Sequence, residues 1–436
     1  MAKLLIKGGR VVDPANKREG RFDLLVDRGK ITDIQPTIPA NGSTVLDAAD
    51  KLVVPGLVDL HTHLRQPGRE DKETIETGCR AALRGGFTTV CAMPNTTPAM
   101  DHRGIVDFLR QEAQRLGLAS VRPIGAITKG RQGKELTDFG ELFDAGCIAL
   151  SDDGSPVADG WLMRRALEYA KIFKRPLIQH AEDPALAAGG VMHEGLVSTT
   201  LGLRGMPAEA ESVLIARDLA LAELTGGWIH FAHLSSAQSV ELIRQAKRRG
   251  TRVTCEVTPH HLALTHEAVG EFNTEAKVNP PLRTEDDRQA LIEGLRDGTI
   301  DCIATDHAPH TDWEKSADFD SAPFGISGLE TALAVCVETL VTPGLLTWSQ
   351  LIEKLSTSPA AIAGGGGGTL SVGAEADIAV IDPDAPWTVD PKIFASRGRH
   401  TPFAGRALTG QVTVVLREGR TVFSSDGNSH GTRRTA

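Results

Sequence analysis

His61 and His63 stand one residue apart, directly after the short apolar run 56–60. Side chains alternate between the faces of a strand, so imidazoles at i and i+2 point the same way and can grip one cation together. Taken alone, the pair would equally suit two histidines that end a strand and hydrogen-bond to neighbours. Further polar residues end other apolar runs: Asp152 and Asp153 after 147–150, His180 after 177–179, His233 after 228–232 and Asp306 after 302–305. Four imidazoles and two carboxylates exceed what one zinc needs, and they fit two ions that share a bridging carboxylate.

Each of these residues also has a plainer role open to it. His180 would serve as a satisfied core histidine, and Asp306 as a helix cap. His230 lies three residues before His233 and on the opposite face by parity, which favours His233. Spacing does not separate Asp152 from Asp153 as the bridge, and either suits a helix cap in an Asp-Asp-Gly-Ser turn. The other histidines, His102, His193, His260, His261, His266, His400 and His430, fall in loops or helix flanks and read as surface or structural residues.

Such residues need a scaffold that gathers them. Eight apolar runs, at 56–60, 88–92, 122–126, 147–150, 177–179, 228–232, 252–257 and 302–305, alternate with amphipathic stretches at 105–116, 161–173, 208–224, 237–248 and 286–295. Eight strands alternating with helices predict an α/β chain whose residues 55–363 form a (β/α)₈ TIM-like barrel, with a doubly wound open sheet as the competitor. In such a barrel the chemistry sits where strands end, on the C-terminal rim, and all five polar strand ends fall there. Short strands flank the barrel: 4–7, 10–12, 22–26 and 31–34 before it, and 378–381, 412–416 and 421–423 after it. Neither flank has strands enough for a stable sheet, so residues 1–54 and 364–436 are expected to build one β-sandwich module together. The glycine run 364–368 reads as a flexible link into that module.

Composition narrows the class. Among 436 residues, 47 Lys and Arg face 56 Asp and Glu, and the formal charge of −9 argues against coating a nucleic acid. Glycine (45) and proline (23) are frequent but show no period, which excludes collagen-like and disordered chains. The start MAKLLIKGG lacks the apolar run of a signal peptide, and no stretch of about 18 apolar residues appears, so a soluble cytoplasmic protein with no membrane contact is expected. Six cysteines without a C-x-x-C pair lie in or beside apolar runs and read as reduced core residues.

Longer motifs add a family. His61-Thr62-His63-Leu64-Arg65-Gln66-Pro67-Gly68, Met93-Pro94-Asn95-Thr96, Ser151-Asp152-Asp153-Gly154, Val278-Asn279-Pro280-Pro281-Leu282-Arg283 and Ala304-Thr305-Asp306-His307-Ala308-Pro309-His310 resemble, in order, the motif set of dihydroorotases of the long bacterial type, within the amidohydrolase superfamily. The resemblance implies His61, His63, His180, His233 and Asp306 as zinc ligands with Asp153 as the shared bridge, and it leaves one ion or two open. Many members have Arg-Glu-Pro-Gly where this chain has Arg65-Gln66-Pro67-Gly68. Related hydantoinases, dihydropyrimidinases and allantoinases bridge their metals with a carbamylated lysine, whereas strand 4 here ends in acid.

The reaction implied is the reversible closure of N-carbamoyl-L-aspartate to L-dihydroorotate with loss of water, in pyrimidine (UMP) synthesis. A metal-held hydroxide would attack the ring amide, with Asp306 carrying the proton to the departing nitrogen. Two zinc ions set against Asp153, Asp306 and hydroxide leave about +1 at the pocket floor, which suits a dicarboxylate. Arg65 is suited to grip the free carboxylate bidentately. The resemblance adds Asn95 and His310 as co-ligands and the backbone around Asn279, Phe324 and Gly325 as readers of the ring amides. A hydantoinase-like cyclic amidohydrolase and an inactive structural partner of aspartate carbamoyltransferase are the competing readings. A homodimer, and docking of an active enzyme on that transferase, stay open at this point.

Overall fold

The computed structural model describes residues 3–426; His430 and the end of the returning module, residues 427–436, lie outside the described residues. Eight parallel strands pair side by side in chain order: Leu57–Thr62, Phe87–Ala92, Ser120–Gly125, Ala149–Ser151, Leu177–Gln179, Ile229–Phe231, Val253–Val257 and Cys302–Ile303. All eight apolar runs became strands of one barrel. The seam between the last and first strands is closed by few backbone pairings. There the His63 amide donates to the His307 carbonyl at 2.9 Å, and the Thr305 amide donates to Asp59 Oδ1 at 3.0 Å.

Helices cover the barrel because their apolar spacing matches its outer face. Ala237–Arg248 starts at Ser236, whose hydroxyl accepts from the Ser239 amide, and it buries Val240, Ile243 and Ala246 at helical spacing. Arg103–Leu116 is capped by the His102 ring, which accepts from the Gly104 amide, and it ends where Gly117 takes φ 62. Inside the barrel, Leu60, Cys91, Ile124, Ala149, Ile178, Ala232 and Cys302 form an apolar plug. The six cysteines are free and buried.

The two chain ends share one eight-stranded mixed sheet. Leu4–Asp13 pairs antiparallel with Arg18–Asp27 and parallel with Thr44–Asp47 and Leu52–Pro55. Leu52–Pro55 pairs with Ile378–Thr388, which continues into Ala407–Arg417 and Arg420–Ser424. The sheet curls around a core of Ile6, Leu24, Ile31, Val53, Ile378 and Leu416. Two sequence expectations are corrected here. Gly8-Gly9 does not separate two strands; the register shifts between Ile6 and Gly9, a bulge within one strand. The glycine run 364–368 is held rather than loose, because the Arg122 guanidinium donates to the carbonyls of Gly365 and Gly366. All five of its glycines have positive φ, a path open to glycine at little cost.

Candidate active site

The rim of the barrel gathers side chains from five strand ends. His61 and His63 leave the first strand, Asp153 the fourth, His180 the fifth, His233 the sixth and Asp306 the eighth, and all six are buried. Asp153 is the hub. Its Oδ2 lies 3.3 Å from His61 Nε2 and 3.5 Å from His63 Nε2, while its Oδ1 lies 3.6 Å from His180 Nδ1 and 3.5 Å from His233 Nε2. Asp306 Oδ1 stands 3.0 Å from His63 Nε2 and 3.5 Å from His61 Nε2. Asp152 turns away, its carboxylate accepting from the Thr128 amide at 2.9 Å. Of the two aspartates that spacing left open, Asp153 is the one facing the histidines.

Burial disfavours charge on these groups, and the ionic contacts outweigh it. His61, facing Asp153 and Asp306, is held well above the ordinary imidazole range. Hydrogen bonds to Asp153 and Glu182 lift His180 to about 10 against its burial. Asp153 and Asp306, both buried among imidazoles, are held below the usual carboxylate range. His63 goes the other way, since burial and the neighbouring Arg65 together disfavour its proton. A field that keeps protons on buried imidazoles is one that a divalent cation can satisfy in their place. His61 Nε2 and Asp153 Oδ1 are, moreover, buried without a hydrogen-bond partner among the described residues. Such orphaned atoms are costly unless something binds them, and an imidazole nitrogen beside a carboxylate oxygen is a hard-to-borderline donor set that suits zinc once the proton is displaced. Two overlapping triads, His61 with His63 and Asp306, and His61 with Asp153 and His233, have ligand atoms close enough for a metal ion.

The wall beside this cluster carries Arg65, whose Nε donates to the Pro309 carbonyl at 3.3 Å. Burial brings its pKa down to about 10, opposed by Asp306 and Asp153, so it remains a cation at neutral pH. Arg65, His233 and Asp306 all sit at positive φ (59, 33 and 47), a strained path for side-chain-bearing residues. Gln66 Oε1 accepts from the Ile75 amide at 2.9 Å and so starts the helix Ile75–Arg84, a task a glutamate would also perform.

Other residues expected to touch substrate are engaged by the protein. Asn95 Oδ1 accepts from His63 Nδ1 at 2.8 Å and so orients that ring. His310 Nε2 donates to the Phe324 carbonyl at 2.7 Å, and its Nδ1 accepts from Lys72 Nζ at 3.0 Å. Burial, with Arg65 and Lys72 nearby, brings the His310 pKa down to about 3 and keeps the ring neutral. Asn279 Nδ2 donates to Glu182 Oε2 at 2.8 Å, and the Gly325 amide donates to the Lys277 carbonyl at 2.9 Å.

Sequence reasoning missed Glu182, 3.6 Å from His180 Nε2, and Glu256, 2.7 Å from His61 Nδ1. Glu256 carried a signal, as the one acid inside the apolar run 252–257. Of the histidines read as ordinary, His260 is buried and close enough to Asp306 and His233 to feel their charge. His261 bridges Thr258 and the Pro280 carbonyl, and His400 pairs with Glu275 and Asp312.

Comparison with known proteins narrows the family. A family model described as "Dihydro-orotase-like" matches residues 50–239. A dihydroorotase of Pelotomaculum thermopropionicum is 54% identical over 421 residues, covering 97% of this chain and 98% of its own. One from Syntrophus aciditrophicus is 51% identical, covering 97% and 100%. Among solved structures, an L-hydantoinase from Arthrobacter aurescens superposes with a TM-score of 0.87 at 27% identity, covering 97% of this chain and 96% of that one. A D-hydantoinase from a Thermus species gives 0.79 at 25% identity, covering 96% and 94%. The structural likeness extends to hydantoinases, whereas near-full-length identity above one half narrows it: this chain belongs to the dihydroorotase family.

Proposed function

We propose that this chain is a zinc-dependent dihydroorotase that interconverts N-carbamoyl-L-aspartate and L-dihydroorotate plus water. The carrying observation is the division of labour at Asp153, one oxygen facing His61 and His63 and the other facing His180 and His233. That is the placement of a carboxylate shared by two cations, with Asp306 completing the first set. When bound, zinc would lower the pKa of a water from 15.7 to about 7 and polarise the carbonyl to be attacked.

The chain's residues supply the rest. Asp306 stands beside the ligand imidazoles with its carboxylate ionised, so it is placed to take the proton of the attacking water and hand it to the ring nitrogen as that nitrogen departs. In the synthetic direction it removes the proton from the attacking ureido nitrogen. Arg65 contributes a half-buried cation on the same wall, suited to the carboxylate that does not react. Asn95 fixes the His63 ring, and Lys72 and the Phe324 carbonyl fix His310, so these groups present a preorganised wall.

Side-by-side hydrolysis of dihydroorotate and of an unsubstituted hydantoin by the zinc-loaded protein tests this reading. A strong preference for the carboxylated ring is expected; preference for the uncharged ring would overturn the assignment.

A further inference from the structure

Barrel interiors are normally filled by layers of branched apolar side chains. Here the sixth, seventh and first strands place a polar file among them instead. Trp228 Nε1 donates to Thr254 Oγ1 at 3.0 Å, Thr254 Oγ1 meets His230 Nδ1 at 2.9 Å, His230 Nε2 meets Glu256 Oε2 at 3.2 Å, and Glu256 Oε1 meets His61 Nδ1 at 2.7 Å. The file thus climbs from the half-buried Trp228, just before the sixth strand, to the first histidine of the rim.

Proton counting gives the file one direction. An ionised Glu256 only accepts, so both imidazole nitrogens that meet it must carry protons. His230 then holds its proton on Nε2, and its bare Nδ1 takes the Thr254 hydroxyl proton. Thr254 in turn accepts from Trp228, whose indole can only donate. At the upper end His61 commits its Nδ1 proton to Glu256, so Nε2 is the nitrogen that would give up its proton to a cation. That nitrogen is the orphaned atom at the cluster. The opposite arrangement would set a bare His230 Nε2 against a carboxylate oxygen.

We propose that Glu256 and His230 are positioning residues for the metal site: Glu256 fixes the ring orientation and tautomer of His61, and His230 holds Glu256 in place from below. The proposal rests on His61 being a metal ligand, as in the functional reading above. Carboxylate partners of metal-bound histidines raise ligand basicity, and their loss typically costs 10- to 100-fold in metal affinity. His230 matters because without its proton the second oxygen of Glu256 would be buried with no donor. A purely structural role for the pair would lower the melting temperature and leave metal affinity alone.

The test measures zinc affinity of the full chain by competition with a chelator, alongside the melting temperature of the metal-free protein. Glu256→Gln, which keeps length and volume, is expected to bind zinc about 10- to 100-fold more weakly. His230→Phe should weaken binding by about 10-fold, and His230→Gln, which keeps a donor toward Glu256, should recover most of it. Ile124→Val, in the same interior but off the file, should lower the melting temperature without changing zinc affinity. Native zinc affinity in Glu256→Gln, or an equal loss in Ile124→Val, overturns the proposal. Should His230→Phe fail to fold, Glu256→Gln decides alone. If the unaltered protein takes up no zinc, the functional reading itself falls and this inference with it; if it binds zinc and Glu256→Gln binds equally well, only this inference falls.

Discussion

Oδ2 of Asp153 lies 3.3 Å from Nε2 of His61, and that imidazole nitrogen, with the other oxygen of Asp153, is buried without a hydrogen-bond partner among the described residues. Two strands on different sides of the barrel have been brought together to leave an imidazole nitrogen and a carboxylate oxygen unsatisfied in a closed space. Folding tolerates such a loss where a ligand repays it, and the shared neighbours His63, His180, His233 and Asp306 all bring donors of the kind zinc takes.

The placement of Asp306 separates its two tasks. Asp306→Asn keeps size and one acceptor oxygen, so fold and metal content should be largely retained while kcat falls by about 10²- to 10⁴-fold, the range of a lost general base. Steady-state kinetics with parallel metal analysis checks this, and near-normal turnover would remove Asp306 from proton transfer.

Arg65 should read charge rather than ring shape. Arg65→Met is expected to raise KM for dihydroorotate by at least about 10-fold, on the scale of a lost charge-assisted contact, with little change for an uncharged cyclic imide. Equal increases for both substrates would show that Arg65 shapes the wall without gripping the carboxylate.

Acid should find His193 before the metal ligands need be considered. Its Nδ1 accepts from Arg283 Nη1 at 3.1 Å, and burial together with Arg283 lowers its pKa from 6.5 to about 4. The unfolded chain therefore takes up a proton that the folded state refuses. Stability is complete above pH 6.5 and is lost as pH falls toward about 4, by about 3 kcal/mol from this group. His193→Gln, which retains an acceptor, should flatten the melting temperature over that window; an unchanged slope would contradict the role.

Arg122 should matter to the glycine run. Arg122→Ala removes the donors to Gly365 and Gly366 and is expected to cost about 1 kcal/mol and open residues 364–368 to limited proteolysis. A cleavage pattern identical to the unaltered protein would show that the run is held by other contacts.

Much of this architecture was legible because it follows from period and punctuation. The apolar runs are short and bounded, the helices between them carry caps such as Ser236, and the barrel rim then follows from strand ends alone. The choice between Asp152 and Asp153 was not, since adjacent residues at a strand tip differ only in which way the chain turns there. Parity put His230 on the face opposite His233, but the positive φ of His233 breaks the alternation: His230 points into the barrel below the rim, and its partner Glu256 comes from another strand. Gly8-Gly9 misled because a bulge and a turn share the same residue signal. Asn95 and His310 were found by motif, but their bonds to His63, Lys72 and the Phe324 carbonyl depend on contacts across the barrel mouth that no local pattern encodes.

The most direct test strips the purified protein of metal, reloads it with zinc, and follows metal content and dihydroorotate hydrolysis together, with Asp153→Ala beside it. Activity that vanishes with the metal, returns with about two zinc ions per chain, and fails to return in Asp153→Ala is the expected result. Undiminished hydrolysis by the metal-free protein, or full zinc uptake and turnover by Asp153→Ala, would contradict a cation pair gathered by that carboxylate.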